Sequence, residues 1–193
     1  MFLKYRFKVL IYFILFSFSF NIFVYAQERK IEGNYFSIYY YSGLSPLAIA
    51  EKLDFSSPHL QSWSKTEGNY SEIEINSPEK ILARTLDTLF LEVSDILDIH
   101  LSSFKVNLRI LYDFQALDSE FYRFYHLNLK SPSFYIYETN TIYISFDNLK
   151  PGVLGHEIAH AIMNNYFVVP PPVKLQEVLA GYVEYTLQKK AKK

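Results

Sequence analysis

The chain has 193 residues, 19 basic against 20 acidic side chains for a net charge of −1, a hydrophobic half, and no cysteine. A fifth charged and half apolar is a globular balance, not a disordered one. Without cysteine there is no disulfide framework, thiolate zinc finger, iron–sulfur cluster or cysteine nucleophile, and the near-neutral charge gives no reason to expect nucleic acid.

Lys4, Arg6 and Lys8 precede an apolar run from Val9 to Val24, broken only by Ser17, Ser19 and Asn21. Tyr25-Ala26 and then polar Gln27-Glu28-Arg29-Lys30 follow. This basic, apolar, small-residue layout predicts a secretory signal over residues 1–26, cut after Ala26. The run is shorter than the roughly 20 residues a membrane span needs. Residues 27–193 are expected to form a single exported α+β domain: periplasmic, extracellular, or tethered to a membrane if the segment stays uncleaved.

Asn34 to Tyr41, aromatic and bounded by Gly33 and Gly43, predicts a strand. Pro46 to Leu53 predicts a short helix. Phe55 to Ser77, rich in Ser, Pro, Gly and Asn around Trp63, reads mostly as loop, with a short strand at Glu72–Ile75. Ser77-Pro78-Glu79 opens the clearest helix, with Ser77 as N-cap and Pro78 in the first turn. Its apolar residues Leu82, Leu86, Leu89, Phe90, Val93 and Leu97 recur at three- and four-residue steps. Lys105 to Tyr112 alternates Val106, Leu108 and Ile110 with Asn107, Arg109 and Leu111, the period of a strand. Asp113 to Leu127 is read as a helix or a mobile aromatic segment. Phe134–Tyr137 and Thr141–Phe146 predict a hairpin around Glu138-Thr139-Asn140. Helices are expected over Pro151–Asn165 and Lys174–Lys190, separated by Pro170-Pro171-Pro172.

The chemistry-bearing motif is His156-Glu157-Ile158-Ala159-His160, an H-E-x-x-H. Residues four apart share a helix face, so both imidazoles converge on one point, and neutral imidazole is a good zinc ligand. Glu157, about 100° round the helix, can reach a water beside the ion as a general base. With five His and 13 Glu in the chain, chance produces the motif in about 1% of shuffled sequences, and its placement in an apolar helix strengthens it. A catalytic zinc needs a third protein ligand. Glu177, just past the proline break, is the best candidate, and Glu184, two turns on, is the runner-up.

Leu175-Gln176-Glu177-Val178-Leu179-Ala180-Gly181-Tyr182-Val183-Glu184-Tyr185 resembles the second zinc motif of gluzincin metallopeptidases. It is similar to that of aminopeptidase N-type members and of peptidase MA-like domains. The resemblance implies a zincin-like catalytic domain, a small mixed sheet whose edge hairpin packs on the motif helix. It implies one Zn2+ per chain on His156, His160 and Glu177, with Glu157 as base and a peptide or protein as substrate. It also implies that Thr141–Phe146 is the sheet edge above the metal, where an extended peptide would pair. Val178 stands where the family has Gly, and the aminopeptidase Gly-Ala-Met-Glu-Asn motif is absent. Tyr166, Tyr182 and Tyr185 are the tyrosines available as oxyanion donors. The expectation is an exported zinc metallopeptidase; the alternative is a peptidase-like domain serving as a binding or scaffold module.

Overall fold

The computed structural model describes residues 28–59, 77–101 and 103–191. In chain order these form β1 (Glu28–Glu32), β2 (Phe36–Tyr41), α1 (Pro46–Lys52), α2 (Pro78–Leu97), β3 (Val106–Leu111), α3 (Phe114–Tyr125), β4 (Ser133–Ile136), β5 (Thr141–Ser145), α4 (Pro151–Tyr166) and α5 (Val173–Lys190). The fold is mixed α+β. The expected signal segment and the expected strand at Glu72–Ile75 lie outside the described residues. No helix among the described residues is long and apolar enough to cross a membrane.

The helices start and stop where local chemistry requires. The Ser77 hydroxyl accepts from the Lys80 amide (3.3 Å) and Pro78 takes the first turn of α2, which Asp98 ends in the left-handed region at φ 54°. Asp113 caps α3 by accepting from the Ala116 amide (2.8 Å), and the segment that follows is a helix. Capping satisfies amides that have no partner inside the helix. Pro151 opens α4, and the chain turns extended at Phe167, just before the prolines.

The strands form one sheet in the order β1-β2-β3-β5-β4. The outer pairs are antiparallel; β2–β3 and β3–β5 are parallel. Alternation sorts the two faces. Val106, Leu108 and Ile110 of β3, with Ile142 and Ile144 of β5, join Phe36 and Ile38 in the main core under α2, α4 and α5. Leu117 of α3 packs with Phe134, Ile136 and Tyr143 in a second cluster on the opposite face. Each fully buried Leu or Ile of the main core contributes about 1.5–3 kcal/mol.

One strand was not foreseen and one expectation needs correction. Glu28–Glu32 is a strand, pairing antiparallel with β2, although nothing in its charged composition announces one. Thr141–Ser145 is an interior strand, flanked by β3 and β4; among the described residues the sheet edge on this side is β4. The implied edge was one strand too far in. Tyr143 packs in the second cluster, stacked on Phe134 at 4.8 Å between ring centroids.

Candidate metal centre

Two helices and one strand build the site. α4 supplies His156, Glu157 and His160; α5 supplies Gln176, Glu177 and Glu184; β4 supplies Ser133. The proline elbow reverses the chain so that α5 returns along α4. Close approach is possible because α4 presents glycines at 152 and 155. A Cβ at Gly155 would collide with Leu187 of α5, and one at Gly152 would come within 3.1 Å of the Glu184 carbonyl oxygen. Ala180, Val183 and Leu187 of α5 are fully buried. Beyond the site, Lys190 pairs with buried Glu92 of α2 and Phe55 bridges Ala191, anchoring the end of α5.

His156, His160 and Glu177 are brought together, as the sequence predicts, and each offers one ligand atom, all within 4.8 Å of one another. The two Nε2 atoms are 3.2 Å apart. Glu177 Oε2 is 3.5 Å from His156 Nε2, and Oε1 is 3.4 Å from His160 Nε2. Ligands about 2.0–2.1 Å from one tetrahedral ion stand about 3.3–3.4 Å from each other. The two imidazole nitrogens stand about that far apart, each oxygen of the Glu177 carboxylate stands about that far from one of them, and the donors, two imidazoles and a carboxylate, are ones zinc accepts. The residues present fit the metal.

Burial holds the His160 imidazole below its ordinary pKa; the neighbouring His156 also lowers it, against hydrogen bonding to Gln176 and the Glu177 charge. A neutral imidazole is the form that binds a metal. Gln176, buried, is hydrogen-bonded to His160 Nδ1 at 3.2 Å. Glu184, the runner-up ligand, lies on the far side of His156, with Oε2 3.4 Å from Nδ1. The pairing lacks hydrogen-bond geometry, so His156 Nδ1 is a buried nitrogen with the Glu184 carboxylate beside it and no hydrogen bond.

Glu157 points from the same helix toward β4. It is buried, and Oε1 accepts from the Ser133 hydroxyl at 2.7 Å. Burial pushes its carboxyl up to about 7, with the Glu177 and Glu184 charges adding to the rise and the Ser133 hydrogen bond opposing it. An open cleft of about 510 Å³ joins Glu157 to His156, His160 and Glu177, and β4 forms its wall through Ser133, Phe134 and Tyr135. The tyrosines in this wall are Tyr135 and Tyr137, not the three singled out from sequence. Tyr135 is engaged with Asn140 and Asn165; Tyr137 is exposed.

Sequence reasoning missed Ser133, Gln176 and Tyr137. No local signal marks them, because their roles depend on which strand and which turn face α4. No protein-family model, curated protein or solved structure matches this chain.

Proposed function

We propose that the chain is an exported zinc-dependent metallopeptidase of zincin-like fold, related in mechanism to the gluzincin and peptidase MA-like enzymes it resembles. The observation that carries the reading is the convergence of His156, His160 and Glu177, whose ligand atoms lie within 4.8 Å of one another, on a cleft that also contains a buried glutamate. His156, His160 and Glu177 would hold the ion, and its Lewis acidity would activate a water and polarise the scissile carbonyl. Glu157 accepts a proton as the water oxygen bonds to the carbonyl carbon. It returns that proton to the departing amine as the carbon–nitrogen bond breaks. In the metal-free protein burial raises this carboxyl above the ordinary carboxylate range, toward values suited to a general base near neutral pH. Ser133 fixes the Glu157 carboxylate on the β4 side of the cleft. An extended peptide laid along β4, the last strand of the sheet on that side among the described residues, would gain backbone hydrogen bonds there. The basic and apolar start of the chain supports export.

The test is a peptide-library digest with the zinc-loaded protein and its Glu157→Gln variant. The proposal expects cleavage by the wild type and none by the variant, with zinc kept by both. Zinc kept without cleavage of any peptide favours the binding-module alternative. Cleavage surviving in Glu157→Gln overturns the assignment of the base.

A further inference from the structure

We infer that Gln176 is a positioning residue: it holds His160 with its proton on Nδ1, so that Nε2 presents a lone pair to the ion. The role in metal binding rests on the proposed zinc site; the proton placement does not.

The donor and acceptor roles of the atoms around Gln176 cannot be exchanged. Gln176 Nε2 lies 2.8 Å from the Pro171 carbonyl oxygen. A carbonyl only accepts, so the amide NH2 must face Pro171 and the amide oxygen must face His160. Asn164 closes the other side. Its Nδ2 donates to the His160 carbonyl at 2.8 Å, which fixes its orientation in the same way, and also to Gln176 Oε1 at 3.0 Å. Gln176 Oε1, held from two directions, is 3.2 Å from His160 Nδ1. A ring nitrogen facing an acceptor oxygen presents N–H. In the neutral ring the lone pair then sits on Nε2, the atom 3.4 Å from Glu177 Oε1 and 3.2 Å from His156 Nε2.

His156 provides the contrast. Its Nδ1 faces Glu184 Oε2 at 3.4 Å without forming a hydrogen bond, and in the metal-free protein its Nε2 is the donor across 3.2 Å to the lone pair on His160 Nε2. One turn of α5 thus gives one ligand, Glu177, and orients another, His160. The chain anchoring that turn is the carbonyl of a residue inside the proline elbow, where backbone freedom is least. An amide also adds no charge to a site that already has Glu157, Glu177 and Glu184 around two imidazoles, whereas a carboxylate would.

The experiment is long-range nitrogen–proton NMR on the metal-free, 15N-histidine-labelled protein, with zinc affinity measured by chelator competition. Wild type should show His160 as the Nδ1–H tautomer. Gln176→Met, close in shape but without the amide oxygen, should move His160 toward the Nε2–H form. It should weaken zinc binding about 10–100-fold. Gln176→Glu, which keeps an acceptor oxygen, should restore the Nδ1–H form. A His160 tautomer unchanged in Gln176→Met overturns the inference. If Gln176→Met does not fold, Asn164→Ala replaces it: a partial shift at His160 supports the inference, and none overturns it. A tautomer that shifts as expected in a protein that binds no zinc removes the metallopeptidase reading and leaves the Gln176 assignment standing.

Discussion

The Ser133 hydroxyl, on the outermost strand of the sheet, donates to Glu157 Oε1 across 2.7 Å, joining sheet edge and motif helix at the carboxyl closest to the proposed chemistry. That carboxyl is otherwise buried, and burial raises its pKa to about 7 against an ordinary 4.5. Between these values the folded chain holds a proton that the unfolded chain has lost. Stability of the metal-free protein therefore falls as pH rises through this window. Glu157→Gln, which never ionises, should be more stable than wild type at pH 8 by on the order of 3 kcal/mol, with the gap closing toward pH 4. Denaturant unfolding at both pH values in the presence of chelator measures this. An equal difference at the two would show that Glu157 is not the titrating group.

The two carboxylates of α5 should behave differently. Glu177 faces both Nε2 atoms and Glu184 faces only the back of His156. Glu177→Ala is expected to weaken zinc binding by more than about 100-fold. Glu184→Ala, which leaves the three ligands and removes only an outer partner, should cost about 10–100-fold. The reverse order in chelator competition would make Glu184 the ligand.

Gly155 sets the distance between α4 and α5. Gly155→Ala gains helix propensity of up to about 1 kcal/mol, but its methyl meets Leu187. Overpacking of this kind costs about 1–3 kcal/mol. The variant should be destabilised on balance and should bind zinc less tightly, since α5 must move away from the histidines. Adding Leu187→Val removes the obstructing methyl and should restore part of both losses, a coupling that a double-mutant cycle reads directly.

Asp87, buried on α2, accepts from the backbone amides of Asn34 and Tyr35 at 2.8 and 2.9 Å, fixing the entry into β2. Asp87→Ala leaves two amides without their acceptor and should destabilise the fold by about 2–3 kcal/mol, with zinc affinity of the folded fraction unchanged. A loss of zinc affinity without a loss of stability would place Asp87 in the site instead.

Much of this was legible in the sequence, for identifiable reasons. The Ser77-Pro78 start and apolar spacing of α2 are local signals, and the structure follows them to within a residue. The hairpin of β4 and β5, with Asn140 left-handed at its turn (φ 46°), is equally local. His156 and His160 meet because a helix period brings them together, and Glu177 joins them because a proline break followed by a helix turns the chain back. Sheet order was not legible. β5 pairs with β3, more than 30 residues away, and no local pattern says which strand ends outermost. Strand β1 was missed because an edge strand can be charged and satisfied by pairing on one side only. Ser133 and Gln176 were missed because their partners lie 24 and 16 residues away on another element.

Zinc stoichiometry tests the central claim most directly: three side chains from α4 and α5 sharing one ion. Elemental analysis of the purified protein, beside His156→Ala, His160→Ala and Glu177→Ala, should find about one zinc per chain in the wild type and sharply less in each variant. A wild type that holds no zinc when supplied with it, or variants that retain it fully, would contradict the account.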